Sequence, residues 1–168
     1  MLTLACHLVL DQRTTDEMIS IRPANFDTDA LAIIEGAREF SQQTSLASWF
    51  RDGTEFIEDI SKIMVLDNLE ISVSEHEGKI VGGIGIVYIP FIWNHSILVG
   101  DELFWWTSKN APFKTGASMF DFAMKRIKEK GARPMFRSLD TSPVHIENFY
   151  ERRGLKKTES VFTVRTGQ

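Results

Sequence analysis

The segment from Asp101 to Gly131 constrains the fold of this chain most, because it reads as a strand, a short loop and a helix in succession. The bulky run Leu103 to Trp106 favours a buried strand. Four apolar residues at i, i+3, i+4 and i+7 then indicate an amphipathic helix that ends at a glycine suited to a left-handed C-cap. Those four residues are Phe120, Ala123, Met124 and Ile127. A strand followed directly by a helix predicts a mixed α/β domain.

The loop between this strand and this helix predicts an anion site. It carries Phe113, Lys114 and Gly116, followed by the small residues Ala117 and Ser118. The start of a helix leaves backbone N–H groups without partners, and the helix dipole adds partial positive charge at the same end. A phosphate group is therefore the expected ligand of this loop.

The remaining periodicity predicts one domain built from strands and helices. A first helix is expected to be capped by Asp27 or Thr28 and to run through Phe40, and a second is expected at 54–66. A last helix is expected to start at Ser142-Pro143. The predicted strands are 19–22, 69–74, 80–88, 97–107, 135–139 and one or two within 155–165.

Several familiar chemical motifs do not fit the sequence. Gly82, Gly83 and Gly85 lie inside a predicted strand, so they predict a bulge or a close backbone approach rather than a nucleotide fingerprint. The four histidines have no ligand spacing, which argues against a metal site. No nucleophile elbow occurs, so covalent catalysis has no good candidate.

Composition narrows the class of protein further. The 168 residues are 43% hydrophobic and 25% charged, as expected for one soluble globular domain. A formal net charge of −4 argues against nucleic acid as a partner. The apolar N-terminal run lacks a basic flank and is too short to span a membrane, and the single cysteine, Cys6, fits a reducing cytoplasm. We expect 1–17 to be an extension and 18–168 to be the domain.

Four segments, taken together, resemble the GNAT superfamily of acetyl-CoA-dependent N-acetyltransferases, with a weaker likeness to phage and bacterial members. The resemblance extends from about Ile19 to Arg165, and its most specific part is Phe-Tyr-Glu-Arg-Arg-Gly-Leu at 149–155. The other matching segments are 19–24, 75–83 and 128–132. The resemblance implies an α/β (α+β) acyltransferase fold of the GNAT type, with a central mixed, mostly antiparallel sheet flanked by about four helices.

The resemblance also implies where acetyl-CoA binds. The backbone of the strand before the loop would lie beside the pantetheine arm, with side chains alternating between core and substrate cleft. Those strand residues are Phe104, Trp105, Trp106 and Thr107. Backbone N–H groups of the helix start would face the pyrophosphate, with Lys114 as a charged aid. If Gly116 is the last glycine of the family's loop, Ala111 and Lys114 depart from its signature. In an alternative register Lys114 is the leading basic residue of that loop and the helix is shorter. Those N–H groups belong to Thr115, Gly116, Ala117, Ser118 and Met119.

The implied reaction is acetyl transfer to a primary amine by direct attack in a ternary complex, without a metal. Tyr150 matches the tyrosine that protonates the departing thiolate, and Glu102, ahead of Asp101, is the candidate general base. The acceptor is expected to be a small-molecule amine, or alternatively a protein N-terminus or lysine. A further alternative is a CoA-binding or structural module without turnover. No membrane partner is expected, and a homodimer is left open.

Overall fold

The computed structural model describes residues 19–44, 47–139 and 145–159. The predicted extension 1–17 lies outside these ranges. A short 3-10 turn, Ala47–Trp49, lies between the first two helices. The strands and helices are β1 (Ser20–Pro23), α1 (Phe26–Gln43), α2 (Gly53–Met64), β2 (Leu69–His76), β3 (Lys79–Phe91), β4 (Asn94–Thr107), α3 (Thr115–Glu129), β5 (Arg133–Met135) and α4 (Ile146–Arg152).

The strands form one five-stranded sheet in the order β1-β2-β3-β4-β5. The first four pair antiparallel, as strands joined by hairpins or by helices on one face can do, whereas β5 pairs parallel to β4 after the crossover through α3. The sheet is therefore mixed and mostly antiparallel, and four α-helices accompany it within the described residues. This confirms the predicted fold class.

Two hydrophobic cores cover the two faces of the sheet. One core joins α1 and α2 to β2, and the other joins α3 to β3. The ion pair between Arg126 of α3 and Glu70 of β2, 2.6 Å apart, adds a polar link beside the second core. The first core contains Ile33, Ile34, Ala37, Phe56, Met64, Ile71 and Val73. The second contains Ile84, Ile86, Tyr88, Met119, Ala123 and Ile127.

Several element boundaries differ from the sequence prediction; for example, β3 ends three residues later, at Phe91, and β4 begins three residues earlier, at Asn94. The cap of α1 is Asn25, whose side chain accepts the N–H of Asp27 at 3.0 Å, so the helix begins earlier than a cap at Asp27 or Thr28 would allow. The strand predicted at 135–139 is instead β5, Arg133–Met135, and the backbone N–H of Arg137 bonds to the side chain of Glu102 rather than to a strand.

The end of the chain agrees only in part with the sequence prediction. The last helix, α4, ends before Gly154, which has a φ of 84°. No strand occurs at 155–159, so a closing strand that begins at residue 155 is wrong for those residues. The expected helix start at Ser142-Pro143 and the rest of the predicted closing strands lie outside the described residues.

The described part of the chain contains neither a membrane-spanning helix nor a metal cluster. Every helix in it is too short or too polar to cross a bilayer. Among the same residues, no three His, Cys, Asp or Glu side chains lie together as metal ligands would.

Candidate active site

The outer edge of β4 changes partway along the strand from paired to open. β5 pairs with β4 only over 99–101. Beyond those residues no described strand pairs with this edge, whereas the inner edge of β4 continues its ladder with β3 as far as Thr107. An unpaired edge presents backbone donors and acceptors to an extended chain beside it. We refer to 99–101 as the paired segment of β4 and to 103–107 as its open segment.

A β-bulge lies at the junction of the two segments. Ile86 of β3 lies opposite Glu102 while Gly85 lies opposite Phe104, so Leu103 is the extra residue in β4. A Cβ at Gly85 would lie 2.5 Å from the Phe104 ring, so only glycine fits there without a shift. The predicted bulge and close approach at the β3 glycines are thus confirmed. Bulges bend strands and redirect pairing, which accounts for the change at this point.

The side chains of the open segment are used for packing. Phe104 packs against the core between α1 and α2, and Trp105 against the core beneath α3. The indole of Trp106 lies against α1, where its Nε1 would be 2.6 Å from a Cβ at Gly36. Thr107 is exposed. Three aromatic side chains thereby fix this strand between both cores. The groups that remain available to a ligand are the backbone N–H and C=O groups of its outer edge.

The start of α3 lies against the open segment. A Cβ built at Gly116 would be 3.4 Å from the Trp105 ring and 3.8 Å from the methyl group of Thr107, so the two elements are in van der Waals contact. The N–H groups of Gly116 and Ala117 have no acceptor among the described residues. A helix terminus with free donors therefore lies beside a strand with a free edge, which suits a ligand that combines an extended arm with a phosphate.

The other predicted donors of this helix are occupied. The N–H of Thr115 bonds to Pro112 O at 3.2 Å, and that of Ser118 bonds to Lys114 O at 3.0 Å. Met119 lies within the helix, where its N–H bonds to the preceding turn, and its side chain is fully buried in the core. Two of the five predicted donors therefore remain free for a ligand.

Lys114 adds positive charge in front of these donors. It is exposed and has a φ of 72°, a left-handed conformation that lysine rarely adopts. Its Nζ lies 5.8 Å from the centroid of the Phe113 ring, and that ring is 90% exposed. The strained residue precedes the helix directly, as strained residues often do at binding loops.

Glu102, the candidate base, is almost fully buried at the junction of the two segments. Burial raises the pKa of its carboxyl group to about 7, with a smaller upward contribution from Asp101, against the opposing effect of Arg137. Its Oε2 accepts the backbone N–H of Arg137 at 3.1 Å. A carboxyl group with a pKa near neutrality can take and release protons at physiological pH, as a general base must.

Tyr150, the candidate acid, lies on α4 with its ring in an aromatic cluster. Its hydroxyl donates to the backbone carbonyl of Arg137 at 3.0 Å. Burial raises the pKa of this phenol, and the neighbouring Glu102 raises it further, so the proton is retained at neutral pH. The neighbouring rings are those of Trp105, Phe120, Phe136 and Phe149.

Glu102 and Tyr150 both hydrogen-bond to the backbone of Arg137, a residue that the sequence analysis missed. Its guanidinium donates from Nη1 to Glu102 O at 2.6 Å and from Nη2 to Asp101 Oδ2 at 2.7 Å. Asp101, the second candidate base, is therefore ion-paired and buried. An arginine within a short apolar run was the available signal, but its partners lie 35 and 36 residues earlier in the chain.

Comparison with solved structures shows that the chain has the fold of GNAT acetyltransferases. A transcriptional regulator from Bacillus halodurans C-125 superposes with a TM-score of 0.70 at 18% identity, covering 88% of this chain and 99% of its own. An aminoglycoside acetyltransferase from an uncultured soil metagenomic sample has a TM-score of 0.65 at 18% identity, covering 91% and 98%. A predicted acetyltransferase from Clostridium acetobutylicum, solved with acetyl-CoA, has a TM-score of 0.63 at 14% identity, covering 88% and 96%.

Comparison at the level of sequence adds nothing to this. No protein-family model matches the chain, and no curated protein matches it. The likeness is therefore one of fold, and the chemistry has to be argued from the site itself.

Proposed function

We propose that this protein transfers the acetyl group of acetyl-CoA to a primary amine by direct attack in a ternary complex. The observation that carries the proposal is the open segment of β4, which has no strand partner on its outer edge among the described residues. It lies beside the N–H groups of Gly116 and Ala117, which have no acceptor among the same residues. The amides of a pantetheine arm can pair with an open strand edge, and a pyrophosphate can bind at a helix start. The acetyl-CoA complex of a structure with the same fold supports this choice of ligand.

The groups at the end of the open segment have the chemistry that the transfer needs. Glu102 can accept a proton from the incoming ammonium, which frees the nitrogen lone pair to attack the thioester carbon. The carbon–sulfur bond then breaks, and Tyr150 can donate its proton to the leaving thiolate. Both groups hydrogen-bond to the backbone of Arg137, so one residue keeps them in the same part of the structure.

A second candidate function is a CoA-binding module without turnover. Two observations favour it. The hydroxyl of Tyr150 already donates to the Arg137 carbonyl and lies in a side chain only 9% exposed. The loop before α3 has Lys114 in a strained conformation, at a position where one of the two registers of the family resemblance expects glycine. Binding without chemistry would need only the strand edge and the helix start.

Thermal unfolding with and without CoA tests both candidate functions at once, because a ligand of the native state must raise the melting temperature. Ala117→Pro removes one free N–H within the first helical turn, where proline is tolerated, and should reduce the shift produced by CoA. Glu55→Pro, at the third residue of α2, is the matched control and should leave that shift unchanged. If CoA produces no shift in the wild type, both candidate functions fail.

Turnover separates the two candidates. A thiol-release assay with acetyl-CoA should use small amines, aminoglycosides and peptides with a free N-terminus, so that a protein acceptor is tested beside a metabolite. We expect Tyr150→Phe to lower kcat by about 10²-fold, the usual scale for loss of a general acid, while the thermal shift with CoA stays the same. A CoA-dependent shift without thiol release from any acceptor would instead favour the binding module.

A further inference from the structure

Arg137 makes four hydrogen bonds to the site, two through its side chain and two through its backbone. The guanidinium bonds to the carbonyl of Glu102 and to the carboxylate of Asp101, both on β4. The backbone N–H bonds to the Glu102 carboxyl group, and the backbone carbonyl accepts from the Tyr150 hydroxyl. Arg137 therefore connects the junction of the paired and open segments of β4 with both candidate proton-transfer groups.

The position of Arg137 in the chain explains why its side chain matters. It follows β5, which ends at Met135, so no sheet ladder fixes its backbone. The charged hydrogen bonds of the guanidinium to β4 take the place of such a ladder, and bonds of this kind are stronger than neutral ones. Without them, only single hydrogen bonds to the Glu102 carboxyl group and from the Tyr150 hydroxyl would hold the backbone of residue 137 in place.

We propose that Arg137 is the positioning residue of this site, which holds the candidate base Glu102 and the candidate acid Tyr150 in one fixed arrangement through its guanidinium contacts to β4. The proposal rests on the proposed function for its catalytic consequence. Arg137 is not itself a proton donor or acceptor in it. Its guanidinium side chain is half exposed and is engaged with β4.

The charges around Glu102 give this role a measurable signature. Asp101, Arg137 and Tyr150 are the titratable and charged groups that act on its carboxyl group, and Arg137 is the cation among them. Arg137 favours the ionised form of Glu102 through its charge and its N–H bond, while Asp101 favours the protonated form. Removal of the guanidinium should therefore raise the pKa of Glu102.

The test compares Arg137→Ala with Arg133→Ala, which removes the same charge from an exposed residue of β5. We expect Arg137→Ala to lower kcat at least ten-fold and to change KM for acetyl-CoA less than three-fold. The acid limb of the kcat/KM profile should move up by about one pH unit. Arg133→Ala should change none of these values. Added methylguanidinium should restore part of the activity of Arg137→Ala and should not affect the wild type or Arg133→Ala.

A second readout does not depend on turnover. The carboxyl ¹³C resonance of Glu102, assigned by its loss in Glu102→Gln, should titrate at higher pH in Arg137→Ala than in the wild type or Arg133→Ala. Arg137→Lys keeps the charge without the two-pronged contact, so it should keep the titration close to wild type and still lose kcat. If Arg137→Ala folds and leaves the Glu102 titration and the pH profile unmoved, Arg137 has no positioning role. Absence of turnover in the wild type would count against the proposed function instead.

Discussion

The paired and open segments of β4 have the same backbone hydrogen-bonding groups but use them differently. Over 99–101 both edges of the strand are bonded, one to β3 and one to β5, so all of its backbone groups serve the fold. Over 103–107 only the edge toward β3 is bonded within the described residues. The open segment is nevertheless held in place, because its aromatic side chains reach both cores. A strand can keep an edge free for a ligand when side chains take over the role of the missing partner.

The largest expected effect concerns Glu102, at the junction of the two segments. Its pKa of about 7 lies above the usual 4.5, so its protonated form is favoured in the folded state. Relative to Glu102→Gln, the wild type should therefore be most stable below pH 4.5. It should lose about 3 kcal/mol as the pH rises from 4.5 through 7. Urea unfolding of both proteins at about pH 4 and about pH 8, on either side of the two pKa values, measures this loss.

Glu70 provides the contrast for that measurement, because its carboxylate is ion-paired with Arg126. Burial pushes the pKa of Glu70 up, but the hydrogen bond and charge of Arg126, together with Lys130, outweigh burial and lower it. Its contribution is therefore present above its usual pKa and is lost as the pH falls through the acid range. Glu70→Gln should thus show a pH dependence of opposite sign. The same sign for both variants would mean that burial does not raise the pKa of Glu102.

The second effect tests how the open segment is anchored. Gly36→Ala places a methyl group against the Trp106 indole, and overpacking of this kind costs about 3 kcal/mol. The higher helix propensity of alanine returns about 1 kcal/mol, so we expect a net loss of about 2 kcal/mol in the free energy of unfolding. Urea unfolding measures this loss.

A double-mutant cycle assigns that loss to the contact. In a Trp106→Leu background the indole is gone, so Gly36→Ala should there raise the free energy of unfolding by about 1 kcal/mol, the helix-propensity gain alone. An equal cost in both backgrounds would mean that Trp106 does not hold the open segment against α1.

Sequence reasoning predicted the local features of both segments and missed what depends on distant pairing. Apolar periodicity marks β4 and α3, and Gly131 indeed has a left-handed φ of 66°. The bulge was expected from the β3 glycines, but nothing in Glu-Leu-Phe-Trp-Trp marks Leu103 as the extra residue, because register is decided by contacts with β3. Arg137 was missed for the same reason, since its role depends on β4 and α4.

The smallest expected effect compares two residues in the left-handed region, Lys114 before α3 and Glu77 in the β2–β3 turn, with φ values of 72° and 49°. Glycine relieves backbone strain of about 1 kcal/mol at either position. Its greater conformational freedom in the unfolded chain offsets about half of this gain in stability. Lys114→Gly and Glu77→Gly should each therefore raise the free energy of unfolding by about 0.5 kcal/mol.

Ligand affinity should distinguish the two variants, because only Lys114 lies beside the open segment and the free donors of α3. Calorimetric titration with CoA should show about five-fold weaker binding for Lys114→Gly, as expected for loss of one exposed charge contact to phosphate, and no change for Glu77→Gly. Tighter binding by Lys114→Gly would contradict the expectation that the Lys114 charge strengthens CoA binding. It would mean that close approach of the loop backbone matters more for binding than the lysine charge, and that strain at Lys114 holds the loop away from its ligand.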